Sequence, residues 1–167
     1  DHDEIVTVRQ KMLDDAGTID VLVNNAGVVF GGPFLEVPLH EHILTYRVNI
    51  EGMVKVTYTF LPDLIGGNAG HLVNIASASG FIGLPHGSTY ASSKWAAIGF
   101  SESIRLEMKR HGHDHVRTTT VCPSYVGTGM FEGAQPAKLT KMLDAPKLAK
   151  KIVKAVLKDE LWVLEPW

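Results

Sequence analysis

The chain has a single cysteine, Cys122. It cannot form an internal disulfide, which points to a reducing compartment. No apolar run reaches the roughly 18 residues of a membrane-spanning helix, and the acidic start does not have the pattern of a signal peptide. The expected location is therefore cytoplasmic, or on a cytosol-facing membrane surface. Neither sign of charge dominates: 16 basic and 18 acidic residues leave a net charge of -2, which gives no reason to expect a nucleic-acid partner. Internal repeats and low-complexity tracts are missing as well. What is present is ordinary for a globular domain: 167 residues, 45% hydrophobic and 20% charged, long enough to bury a sizeable core.

The order of patterns is that of an α/β protein. Residues 3–15 have helical periodicity, with Ile5, Val8, Met12 and Leu13 as the expected core stripe. Gly17 suits the end of that helix. Ile19 to Val23 is a short apolar run of the kind covered on both faces of a parallel sheet. Residues 39–61 read as a helix containing Asn49, with Pro62 and Gly66-Gly67 closing the segment. His71 to Ala76 is a second buried-type strand, followed by an apolar loop at Phe81, Ile82, Leu84 and Pro85 that is expected to wall a lipophilic pocket. Residues 88–110 form a long helix with more apolar surface than one core stripe requires, which suggests a partner helix from another subunit.

His111, His113 and His115 alternate in a short polar turn, a poor arrangement for converging on one ion, so no metal is expected there. Val116 to Cys122 is a third strand. The glycine-rich stretch from Ser124 to Thr140 reads as a lid, and its apolar residues Met130, Phe131, Leu139, Met142 and Leu143 fit either the inner side of that lid or ordinary core contacts. Asp144 caps a final helix with Leu148, Ile152, Val153 and Val156 as its core stripe and five lysines as a solvated face. Leu161 to Leu164 is a last strand. The alternation calls for a doubly wound parallel sheet of about four strands with right-handed crossovers.

Within that frame, Tyr90 and Lys94 stand four residues apart on one helix face. A phenol has an unperturbed pKa of about 10, and a nearby ammonium favours its ionised form. Bringing it toward 7 takes roughly 4 kcal/mol from Lys94 and any other positive group in the site. Ser77, at the carboxyl end of the second strand, can hold a carbonyl oxygen while the tyrosine exchanges a proton with it. Open parallel sheets place ligands beyond such strand ends. The small residues of Asn24-Asn25-Ala26-Gly27, at the end of the first strand, permit close approach of a backbone or ligand.

With these motifs the chain resembles the short-chain dehydrogenase/reductase family. Asn24-Asn25-Ala26-Gly27 is similar to the family's N-N-A-G after its fourth strand. Asn49, in Val48-Asn49-Ile50-Glu51-Gly52, matches its helix asparagine. Ser77 precedes Tyr90 by 13 positions, the family's usual spacing, and Tyr90 and Lys94 match its Y-x-x-x-K. Cys122-Pro123-Ser124-Tyr125-Val126-Gly127-Thr128 looks like the stretch that lies along the nicotinamide, with Ser124 where the family usually has glycine. The resemblance implies hydride transfer between an alcohol or carbonyl and NAD or NADP. It makes Tyr90 the general acid or base, Ser77 the group that orients the substrate oxygen, and Lys94 the residue that tunes Tyr90 and binds the nicotinamide ribose. It also implies that the Asn49 backbone holds a water of the proton relay. The expected cofactor contacts are Asn25, Ala26, Gly27, Tyr90, Lys94, Pro123, Val126 and Thr128. Residues 122–131 look most like the retinol and hydroxysteroid dehydrogenases, so the implied substrate is a lipophilic alcohol or ketone. The implied assembly is a homo-oligomer through helices 39–61 and 88–110.

One part of the family pattern is not found. The loop T-G-x-x-x-G-x-G, which cradles a pyrophosphate at a helix N-terminus, does not occur before Asn24. The expectation is a partial domain of a longer enzyme. The alternative is a truncated, non-catalytic form that associates with full-length subunits.

Overall fold

The computed structural model describes residues 1–130 and 142–165. Four strands, β1 (Val21–Asn24), β2 (Gly70–Ile75), β3 (Val116–Pro123) and β4 (Trp162–Glu165), form one parallel sheet in the order β1-β2-β3-β4. Val23 stands beside Val73, and Val73 beside Thr119. The functional ends of β1, β2 and β3 therefore lie together along one edge of the sheet.

Successive side chains of β2 divide the core in two. Leu72 packs with Leu22, Phe60, Leu64 and Met108 under helices α1 (His2–Ala16), α3 (Met53–Gly66) and α4 (Ser88–Arg110). Val73 turns to the opposite face and packs with Val121, Val163 and Ala155 under α5 (Ala145–Val156). This is the strand alternation of a sheet with helices on both sides.

β1 departs from the expectation of two covered faces. Leu22 is buried, but Val21 and Val23 are 49% and 50% exposed. Among the described residues α5 is the helix on that face, and its contacts are with β2, β3 and β4. The stripe on α1 is also rotated from the expected one. Ile5 and Leu13 reach the core, whereas Val8 and Met12 are exposed. Arg9 takes the inward position instead and grips Asp63 of α3 through two hydrogen bonds of 2.6 and 2.5 Å. On α5, Val153 is 59% exposed and Ala155 is the buried residue, so the expected stripe keeps only its Ile152 and Val156 side.

The helical stretch after Pro38 is three segments in one. α2 (Leu39–Tyr46) widens into a π-helical turn over Arg47–Gly52 and resumes as α3. Pro62 does not end it: Phe60 and Leu64 are buried on either side, and their packing carries the last turn through to Gly66.

Candidate active site

Ser77 leaves the end of β2 and caps a single 3₁₀ turn, Ala78–Gly80. Its hydroxyl accepts from the Ser79 amide at 3.2 Å and from Ser79 Oγ at 3.0 Å. The turn lies tight against α4: a Cβ on Gly80 would stand 2.8 Å from the Lys94 carbonyl oxygen. Only glycine permits that approach, and it holds Ser77 beside the first turns of α4.

On those turns Tyr90 is buried at 5% exposure, and the Ser77 hydroxyl is hydrogen-bonded to it. Lys94, one turn further on, is 6% exposed. Its ammonium lies 5.7 Å from the centre of the Tyr90 ring and donates to the Ile75 carbonyl at 2.9 Å. Asn49, buried in the π-helical turn, clamps Val28: its Oδ1 accepts from the Val28 amide at 2.8 Å and its Nδ2 donates to the Val28 carbonyl at 3.0 Å. The same Nδ2 lies 3.0 Å from Ser93 Oγ, and Ser93 donates to the Tyr90 carbonyl at 2.7 Å. One polar chain thus joins the loop after β1 to the backbone of the tyrosine.

An open groove of about 670 Å³ runs over these strand ends. Of the expected cofactor contacts, Asn25, Gly27, Tyr90, Lys94, Pro123, Val126 and Thr128 line it, and Ala26 is exposed outside its lining. Asn49 and Ser77 are buried and are not part of its lining. Its apolar walls come from Val28, Val29 and Phe30 on one side and Leu148 and Ile152 of α5 on the other. The sequence pattern assigns the α5 residues to the core and does not single out Val28, Val29 and Phe30 in the loop after β1. The apolar run Val28-Val29-Phe30 directly behind Gly27 is the signal that could have found it. The 81–85 loop walls a different place: Leu84 and Pro85 join Trp95 in a separate apolar recess. The expected lid over 124–140 lies partly outside the described residues, Phe131 and Leu139 included. Among the described residues no group of three or more His, Cys, Asp or Glu is arranged to hold a metal ion.

The electrostatics correct one expectation. Burial, the largest influence, raises the Tyr90 pKa, and the hydrogen bond from Ser77 opposes that rise. Lys94 is itself lowered to about 8 by burial. Desolvation penalises the phenolate and the ammonium together. Lys94 alone therefore does not bring the tyrosine below its ordinary value.

A family model for short chain dehydrogenases matches residues 1–139. The chain belongs to the short-chain dehydrogenase/reductase family. Within this family, epidermal retinol dehydrogenase 2 of Mus musculus is 36% identical over 167 residues, covering 99% of this chain and 54% of that protein. A short-chain dehydrogenase/reductase of Burkholderia phymatum, solved in complex with NAD, shares the fold. Its TM-score is 0.88 at 24% identity, over 98% of this chain and 67% of that one. An alcohol dehydrogenase from the archaeon Thermococcus sibiricus, complexed with 5-hydroxy-NADP, is similar at 26% identity and a TM-score of 0.80, over 98% of this chain and 68% of that one. The chain spans about half the length of the curated relatives it matches.

Proposed function

We propose that this protein is an oxidoreductase that interconverts an alcohol and a carbonyl by hydride exchange with NAD(H) or NADP(H). The observation that carries the reading is that Tyr90 and Lys94 line one groove, with the Ser77 hydroxyl hydrogen-bonded to Tyr90. The residues fit the nicotinamide half of such a cofactor. Gly27 packs against the catalytic side chains without a Cβ, which would come 3.4 Å from Asn49 Oδ1 and 3.6 Å from Lys94 Nζ. Asn25, Pro123, Val126 and Thr128 would supply the rest of that cradle, and Tyr90 and Lys94 would hold the ribose hydroxyls.

The nicotinamide, when bound, supplies or accepts the hydride. In the reductive direction Ser77 donates a hydrogen bond to the substrate carbonyl oxygen. As charge develops on that oxygen, the Tyr90 hydroxyl delivers its proton, completing the alcohol. A proton from solvent would then restore Tyr90 by way of Lys94 and a water held by the Asn49 backbone. In the oxidative direction each transfer is reversed, with Tyr90 as the base. A bound oxidised nicotinamide would add a positive charge near Tyr90 and so would favour its ionised form.

The walls at Val28, Val29, Phe30, Leu148 and Ile152 favour a lipophilic alcohol or ketone. The similarity to an epidermal retinol dehydrogenase 2 supports the same substrate class. Exposed apolar side chains on α2, α3 and α4 support self-association. A cytosolic or cytosol-facing location is part of the same proposal.

Calorimetric titration of the purified chain with NADH and NADPH tests the first step. Binding of neither by folded, monodisperse protein refutes the reading that this chain is an enzyme. Tyr90→Phe is expected to lower turnover by about 10²–10⁴-fold; wild-type turnover in that variant removes Tyr90 from the chemistry.

A further inference from the structure

Charge is unevenly distributed along this chain. Five of its sixteen basic residues, Lys147, Lys150, Lys151, Lys154 and Lys158, fall within positions 145–158, where there is no acidic residue. That leaves eleven basic side chains against all eighteen acidic ones in the rest of the chain. A protein with a net negative charge therefore presents one concentrated positive face.

That face belongs to α5 and its last turn. At 100° per residue the five lysines occupy an arc of about 100°, and all five are exposed. Lys151 is paired with Glu165, and Glu160 borders the others. Among the described residues Lys147, Lys150, Lys154 and Lys158 have no ion-pair partner. Beside the arc, one turn apart, stand Val153 and Leu157, 59% and 81% exposed. A purely solvated lysine face has no use for two apolar side chains at its margin. A polyanion such as a nucleic acid would pair with the lysines and gain little from Val153 and Leu157. Headgroups over hydrocarbon satisfy both kinds of side chain.

We propose that this face of α5 docks on an anionic lipid bilayer. Val153 and Leu157 seat between the headgroups, and Lys147, Lys150, Lys154 and Lys158 lie against their phosphates. The docking requires no turnover and no bound cofactor. Its consequence for substrate rests on the proposed function. Leu148 and Ile152, on the opposite side of the same helix, wall the groove, so docking brings that wall within a helix diameter, about 10 Å, of the lipid.

The test is flotation of the whole chain with vesicles of phosphatidylcholine alone or with about one-third phosphatidylserine. The expected result is binding to the mixed vesicles, weakened by raising salt from about 0.05 to 0.5 M, and little binding to the neutral ones. The variant K150E/K154E/K158E changes only exposed residues. It should keep the wild-type melting temperature and bind at least about 100-fold more weakly, at roughly fivefold per lysine lost. Val153→Ser with Leu157→Ser should remove the part of the binding that survives salt. Equal flotation with both vesicle types overturns the proposal, as does undiminished binding by the charge-reversed variant. Tight binding to duplex DNA with none to the mixed vesicles overturns it too. None of these results bears on hydride transfer, which the titrations with NADH and NADPH test separately.

Discussion

Lys94 is the residue on which most depends, because it is a cation held at 6% exposure. Its pKa is lowered from an ordinary 10.5 to about 8 by burial. Proton counting sets the sign of the effect on stability. Between about pH 8 and 10.5 the unfolded chain still carries a proton that the folded protein has released, so stability rises with pH across that window. The full effect is roughly 3 kcal/mol. Two neighbours act the other way. Burial pushes the Cys122 thiol up to about 12 and raises Tyr90, so the folded protein keeps protons there that the unfolded chain loses at alkaline pH. The difference in unfolding free energy between wild type and Lys94→Met isolates the lysine. Measured by urea denaturation from pH 7 to 10, wild type should gain on the variant by about 2–3 kcal/mol. A flat difference would mean that Lys94 keeps an ordinary pKa. That tuning was not legible in the sequence. The spacing of Tyr90 and Lys94 gave their common face, but burial, which decides the direction of both shifts, depends on how α4 packs beside the 3₁₀ turn.

At the scale of elements, the π-helical turn Arg47–Gly52 is the informative one. An inserted wide turn rotates the rest of the helix about its axis and is frequent at functional sites. Here it turns the Asn49 side chain inward to both backbone groups of Val28 and to Ser93. Asn49→Ala leaves the Val28 amide and carbonyl without those partners, at a cost of about 2–4 kcal/mol. Denaturant unfolding should show that loss, and hydrogen exchange should show the Val28 amide losing protection. Protection equal to wild type would mean that the asparagine is not the clamp. The position was legible as a polar residue out of place in a helix with Gly52 close by, although the π geometry was not. Periodicity also placed α1, α4 and α5 along the chain, but it did not choose between adjacent apolar flanks. Val8 and Val153 fit a 3.6-residue stripe as well as the residues that are buried, and the choice was made by Arg9 reaching Asp63 and by Ala155 meeting Val163. The parallel arrangement was more secure, because strands that alternate with helices call for parallel pairing through crossovers.

At the scale of the whole molecule, apolar side chains are exposed both on the helical side and along β1, and physical chemistry assigns the two places different behaviour. On the helical side Tyr58 is 76%, Trp95 52% and Leu106 54% exposed. A helix face has no unpaired backbone groups, so a second copy can cover it in a closed pair and association then stops. Along β1, Val21 and Val23 are half-exposed, and among the described residues the strand pairs with β2 alone. A strand at a sheet edge presents unpaired amides and carbonyls, which invite open-ended pairing. Light scattering of the purified chain should therefore show a dimer together with concentration-dependent larger species. Tyr58→Arg with Leu106→Arg should convert the dimer to monomer at an unchanged melting temperature, since both side chains project from the fold. Val23→Lys should suppress the larger species and leave the dimer intact, because a charged edge resists strand addition. A wild-type chain that stays monomeric at every concentration would show that the helix face needs no cover. Loss of the dimer in Val23→Lys would move the interface from the helices to the sheet edge.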